Sequence, residues 1–243
     1  MSAQALTNVQ LFFGSMELSQ FSGSFDQSQT TAMKEANNFA AAGYTVVVPG
    51  ISSFGMNVQG NADFATGGVS QTFTPAQRGT QYGAGIVYAG TAAVAGDAAT
   101  FTQGVLEMAK YASGAVGEVA QFELELVSDT AMVNGAVGAV LASRTTAGLT
   151  GTAVAMTGPT ASQKLYAGLY VTAAAGTNLA VKIQTDDNSG FSSATDRITF
   201  STVSATGWQF SSVAGSFSSE THVRVVATVA TSTFSFAVLV GVL

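Results

Sequence analysis

Apolar and polar side chains alternate with a period of two along much of the chain. In Gln121-Phe-Glu-Leu-Glu-Leu126 the residues Phe122, Leu124 and Leu126 fall on one face, and Gln121, Glu123 and Glu125 on the other. That is the pattern of a strand with one buried side. The same rhythm predicts strands over residues 165–171, 179–184 and 197–200, and less regular ones over 222–229 and 233–240. Between them stand Gly176-Thr-Asn178, Asp186-Asp-Asn-Ser-Gly190, Thr206-Gly207 and Ser218-Ser219, all residue types that favour turns. Short strands with breakers at such spacing predict a β-sandwich.

Helical patterning is confined to short pieces. Thr31-Ala-Met-Lys-Glu-Ala-Asn-Asn38 and the segment after Pro75 each predict a short helical turn. Glu107-Met-Ala-Lys-Tyr111 contains good helix formers, but residues 101–113 lead directly into Gly114-Ala-Val-Gly117 and the next strand. It is read as strand, propensity being the weaker signal. Gly135-Ala-Val-Gly138 is read as a turn between strands. The small polar run Ser143-Arg-Thr-Thr-Ala-Gly-Leu-Thr-Gly-Thr152, followed by Thr157-Gly-Pro159, predicts a boundary that divides the chain into 1–145 and 146–243. The expected fold is all-β with at most a short helix: a sandwich or barrel domain followed by a second β-sandwich.

Charge alters this picture. Only 9% of the 243 residues are charged, against roughly a quarter in soluble domains, and Ser, Thr, Gln and Asn fill the polar positions instead. A surface that sheds charge loses protection against association, so much of it is expected to be covered in an assembly. The net charge is −6, and the eight cations (Lys34, Arg78, Lys110, Arg144, Lys164, Lys182, Arg197, Arg224) stand singly. Phosphate contacts need clustered Lys and Arg, so specific nucleic-acid binding is not expected. No cysteine is present, which removes disulfide frameworks and thiolate metal sites. The first cation is Lys34, so no basic leader and no signal peptide is expected. The apolar run 234–243 has about half the length of a membrane span, and no Asn-x-Ser/Thr acceptor occurs. The expectation is a product made in the cytosol, without a membrane partner.

No catalytic constellation emerges. The single histidine, His222, falls on the polar face of its strand with Arg224 and Thr228, away from any Ser-His-Asp arrangement. One histidine without cysteine falls short of a zinc ligand set. Glu123 and Glu125 read as a solvated strand face rather than an acid–base pair. Asp186, Asp187 and Asn188 resemble half a calcium loop, but Gly190 comes one place early and no Glu stands at the twelfth position, so a turn is read. Gly79, Gly83, Gly85 and Gly90 lack the spacing of a phosphate cradle. Trp208, Tyr166 and Tyr170 have flat faces of the kind that stack on sugars, although packing accounts for such aromatics more often. Neither an enzyme nor a cofactor is expected.

The order of segments carries more. An N-terminal strand leads into Ser15-Met-Glu-Leu-Ser-Gln20, then a stretch over 33–43 containing Asn37-Asn38-Phe39. Tyr44-Thr-Val-Val-Val-Pro-Gly-Ile51 follows, then Phe54-Gly-Met-Asn-Val-Gln-Gly-Asn-Ala-Asp63, and later Gly114-Ala-Val-Gly-Glu-Val-Ala-Gln-Phe-Glu-Leu124. In this order the segments resemble parts of the major tail tube proteins of long-tailed bacteriophages. Those parts are the opening segment, a loop, a strand ending in Pro-Gly-hydrophobic, a strand closing on a polar turn with Asp, and the long closing hairpin. The chain departs from that family's Thr-Thr-Phe-Gly-like loop by placing Asn37 and Asn38 for Thr and Ala40 for Gly. Residues 164–240 look like the sandwich domain often appended to such proteins.

The resemblance implies a tail-tube-type domain whose copies form hexameric rings, with strands of neighbouring subunits joined into one inner barrel. Rings would stack into a tube through which the genome passes, without specific binding to the DNA. Partners would be further copies and other tail proteins, and the location the virion tail after synthesis in the host cytoplasm. Met33, Lys34, Asn37, Asn38 and Phe39 become candidates for a loop reaching between rings. Glu118, Glu123 and Glu125 become candidates for the channel lining, because an acidic wall lets phosphates slide. The C-terminal sandwich would face outward, where no motif supports a host-surface glycan. Two other readings stay open: a capsid decoration or minor tail protein, and a glycan-binding sandwich module.

Overall fold

The computed structural model describes residues 8–35, 47–89, 91–112, 115, 117–128, 130–145, 148–230 and 233–243. They form an all-β chain with one four-residue helix, α1 (Val69–Thr72), and a 3₁₀ turn at Pro75–Gln77. The first strands are β1 (Asn8–Phe13), β2 (Met16–Glu17), β3 (Ser22–Glu35), β4 (Val47–Asn61), β5 (Gln81–Ala89), β6 (Ala98–Ala112), β7 (Gln121–Ser128) and β8 (Val133–Arg144). After them come β9 (Leu149–Thr150), β10 (Val154–Ala155), β11 (Lys164–Ala175), β12 (Leu179–Asp186), β13 (Thr195–Thr199), β14 (Gly207–Ala214), β15 (His222–Val229) and β16 (Thr233–Val242). The strands expected from alternation are present, and Glu107–Tyr111 lies in β6 as read.

Two compact units share the chain: Met1–Gln20 with Tyr82–Gln103 and Met132–Leu243, and Phe21–Gln81 with Gly104–Ala131. In the first, a sheet ordered β14-β11-β16-β8 faces a second one ordered β10-β15-β12-β13. Leu165, Leu169, Phe234, Phe236 and Val238 from one side meet Val181, Ile183, Ile198, Val223 and Val225 from the other. The opposite face of β11, β16 and β8 is covered as well: Tyr170, Ala237, Leu239 and Val137 pack with Phe12, Val87 and Phe101. Burial on both faces explains the nearly continuous apolar run in β16, where a half-exposed strand would alternate.

The structure corrects three expectations. The units do not divide at 145: β8 pairs with β16, from Arg144 opposite Phe234 to Gly135 opposite Gly241, so both sides of the polar run 143–160 belong to one unit. Gly135 and Gly138 lie inside β8 rather than in a turn. A Cβ on Gly135 would stand 2.0 Å from the Val240 carbonyl oxygen, so glycine there serves close strand approach. Thr31 to Glu35, expected to be helical, continue β3, where Met33, Lys34 and Glu35 stand opposite Pro49, Val48 and Val47; residues 36–38 lie outside the described residues. The expected turn after Pro75 is the 3₁₀ turn, begun by Thr74, whose N–H donates to Gln77 Oε1 at 3.0 Å.

Candidate functional site

The second unit holds a four-stranded antiparallel sheet in the order β3-β4-β7-β6, to which β6 contributes its later half. Alternation sorts its side chains cleanly. Phe54, Met56, Val58, Phe122, Leu124 and Leu126 are buried on one face. There Tyr111 donates its hydroxyl hydrogen towards the carbonyl oxygens of Val69 (3.0 Å) and Phe73 (2.5 Å), which anchors α1. Burial pushes the Tyr111 pKa up to about 12.

The other face is polar. One row crosses all four strands: Ser24 opposite Gln59, Gln59 opposite Glu123, Glu123 opposite Lys110. A second row sets Asp26 opposite Asn57 and Asn57 opposite Glu125. Glu123 accepts hydrogen bonds from Asn57 Nδ2 at 2.9 Å and Gln59 Nε2 at 3.0 Å, and Lys110 Nζ lies 3.9 Å from its other oxygen. The Asn57 bond is the largest cause that holds the Glu123 carboxyl below the usual carboxylate range; slight burial opposes it, and Gln59 and Lys110 reinforce it. A neutral-pH carboxylate here stays ionised while its strand neighbours supply the donors.

Both edges of this sheet are open among the described residues. β3 pairs with β4; β6 also neighbours β5, on which side Leu106 bonds to Gly79 and Thr80, and its short stretch from Glu107 to Ala112 pairs with β7. β4 meets β7 over Gly55 to Asn61 alone, so the distal part of the β3–β4 hairpin is two-stranded, and its β3 side chains are mostly exposed.

The sequence candidates are placed unevenly. Glu123 and Glu125 share the polar face. Glu118 sits in the turn before β7, exposed, its Oε2 accepting the Ala115 N–H at 3.1 Å, and does not join them on the strand. Met33, 67% exposed, and Lys34 lie in a strand rather than a loop; Asn37, Asn38 and Phe39 lie outside the described residues. Sequence reading missed Asp26, Asn57, Gln59 and Lys110 as members of this face. The signal was present for two of them, because Phe54, Met56 and Val58 alternate with Gly55, Asn57 and Gln59.

The remaining candidates find structural roles. Tyr170 is 1% exposed and stacks on Phe12 at 5.1 Å, so its ring offers no face to a sugar. Trp208 is half-buried over Gly83, where a Cβ would come 2.7 Å from the indole. Asp186 accepts the N–H groups of Asn188 (3.1 Å) and Ser193 (2.8 Å), the geometry of the turn read from sequence. Burial works against its ionisation, but hydrogen bonds involving Asp187, Ser193 and Asn188 outweigh it and hold its pKa low. His222 Nδ1 lies 2.9 Å from the Thr221 hydroxyl. Among the described residues no group of three or more His, Cys, Asp or Glu is placed to hold a metal ion.

No protein-family model matches the chain, and no curated protein does. Among solved structures it is similar to the sheath/tube terminator of an extracellular contractile injection system, PVC, in the extended state, at 11% identity over 55% of this chain and 97% of that one, with a TM-score of 0.42. It is similar to a chain of the virion of a native gene transfer agent particle, at 13% identity over 54% and 97%, with a TM-score of 0.38. The SPP1 Dit protein, described as a paradigm of the hub adsorption apparatus in phages infecting Gram-positive hosts, matches at 11% identity over 98% and 100%, with a TM-score of 0.36.

Proposed function

We propose that the chain is a structural, non-catalytic subunit of a phage tail, and within the tail a tube subunit that assembles into stacked hexameric rings around a channel for the genome. The observation that carries this reading is the β3-β4-β7-β6 sheet, whose one polar face is acidic and whose two edges are open. Open edges of this length invite aggregation in a free monomer. A ring removes the hazard, because each copy's edge is capped by the next and rotation closes the series, while a head-to-tail contact along the axis stacks rings without limit.

In such a ring the polar face lines the channel. Asp26, Glu123 and Glu125 outnumber Lys110 there, which leaves the wall acidic and the DNA unheld. Glu118, exposed in the turn before β7, is the further acidic candidate for the wall. The exposed end of the β3–β4 hairpin, with Met33 and Lys34, reaches towards the neighbouring ring. Partners are other copies and other tail proteins, and the location is the virion tail after synthesis in the host cytoplasm.

Negative-stain microscopy of the purified full chain, with light scattering at virion-like concentration, tests the reading. Rings or tubes are expected. A protein that stays monomeric at every concentration overturns it.

A further inference from the structure

The two open edges of the second unit's sheet differ in character. β3 offers Phe25 and Asp26 in its first half, the first half-buried and on the apolar face, the second exposed and on the polar face. β6 offers Lys110, its side chain 63% exposed, on the polar face, and half-buried Tyr111 on the apolar one. At these positions each edge therefore sets one charge beside one aromatic ring, with the charges opposite in sign; Glu107 lies three residues before Lys110 on β6, and Lys34 and Glu35 stand at the far end of β3.

From this complementarity we infer that a second copy of the chain docks by laying its β3 along the β6 edge in a single register, with Asp26 opposite Lys110 and Phe25 opposite Tyr111. The inference rests on the ring reading above and specifies its seam. Strand direction agrees. Three antiparallel steps separate β3 from β6, so the two edge strands run in opposite senses. Rotation about a ring axis preserves those senses, and the seam is antiparallel like the pairs inside the sheet.

Register follows from the side chains. Setting Asp26 against Lys110 in an antiparallel pair sets Phe25 against Tyr111 and Ser24 against Ala112. A charge pair on one face and an aromatic pair on the other are both stabilising cross-strand neighbours. A shift of two residues moves Lys110 opposite Ser24 or Ser28 and parts the rings. A shift of one puts Asp26 on the apolar face. In the chosen register bulged Glu107 falls beside Gln29, so no like charges meet.

The absence of cysteine from the chain makes the seam directly readable. Within one chain, positions 26 and 110 are three strand spacings apart, at least about 14 Å, and a disulfide needs Cα atoms within roughly 7 Å. The full chain carrying Asp26→Cys with Lys110→Cys should therefore cross-link only between copies under mild oxidation, giving a ladder on a non-reducing gel that ends at the ring. The pair Ser24→Cys with Ala112→Cys, which leaves both charges in place, should give the same ladder. Ser28→Cys with Ala112→Cys, four residues out of register, should stay largely uncross-linked. Rings by microscopy with no ladder from either in-register pair, or with a stronger ladder from the out-of-register pair, overturn the register and leave the ring reading standing. Monomers without rings in the unmodified chain remove the ring reading and the seam together.

Discussion

Arg197 and Glu220 are joined at two points: Nη2 lies 2.5 Å from Oε1, and Nε lies 3.1 Å from Oε2. The Thr185 hydroxyl donates to the same carboxylate, and the guanidinium sits over the Phe217 ring at 4.1 Å. The contact ties β13, at the margin of its sheet, to the segment that enters β15. A planar fork satisfies this geometry, and the single ammonium of lysine does not.

Arg197→Lys is therefore expected to lower unfolding free energy by about 1 kcal/mol, the worth of one hydrogen bond, although charge is kept. Glu220→Gln, which removes the charge from every bond at once, is expected to cost about 2 kcal/mol, because bonds to charged groups are the stronger ones. Urea unfolding of the two variants checks the order. A loss near zero in Arg197→Lys beside a full loss in Glu220→Gln would show that charge, and not the two-point fit, holds the contact.

Tyr170 presents the opposite case. Its hydroxyl is buried with no hydrogen-bond partner among the described residues, and burial raises its pKa strongly. Tyr170→Phe is expected to leave stability unchanged or raise it by about 1 kcal/mol, since a desolvated donor is removed at no loss of partner. Gly85→Ala should cost about 1–3 kcal/mol by overpacking, because its Cβ would stand 2.6 Å from Leu239 Cδ1 and 2.9 Å from the Tyr170 hydroxyl oxygen. Thermal melts of both variants decide; a marked loss in Tyr170→Phe would reveal an unrecognised partner.

Local pattern carried the strands and little of their company. β7 was legible because one of its faces is core and the other is not, so Phe122, Leu124 and Leu126 alternate with charge. β3 was misread near its end because Ala32, Met33, Lys34 and Glu35 favour helix, and only pairing with β4 overrides that preference. The division into units was not legible at all. β8 joins β16 across roughly ninety intervening residues, and no turn signal records a partner so distant. The same reason hid half of the candidate site: Glu123 announces an acidic face, but its donors Asn57 and Gln59 come from a strand more than sixty residues earlier.

α1 has only four residues, far below the length at which a helix holds itself in water. Its anchors are buried Val69 and Phe73 and the Tyr111 hydroxyl shared by their carbonyls. Tyr111→Phe is expected to cost about 1 kcal/mol and to speed amide exchange at Phe73, whose N–H donates to Val69 O at 2.9 Å, more than at strand amides of β7. Exchange unchanged at Phe73 would show that apolar burial alone secures the helix.

Asn57 should govern the titration of Glu123. The folded carboxyl is the stronger acid, so folding favours its ionised form. The stabilisation is complete above the unfolded carboxylate value, near pH ~4.3, and is lost as pH falls through the lower folded value. Asn57→Ala removes the leading cause of the shift and is expected to move the Glu123 midpoint up towards the ordinary range; Gln59→Ala should move it less, and Lys110→Ala least, since an exposed ammonium at 3.9 Å is well screened. Carboxyl-carbon NMR titration of Glu123 in the three variants reads the order. If Lys110→Ala gave the largest change, the low Glu123 value would rest on ion pairing, and it would rise with added salt instead of persisting through it.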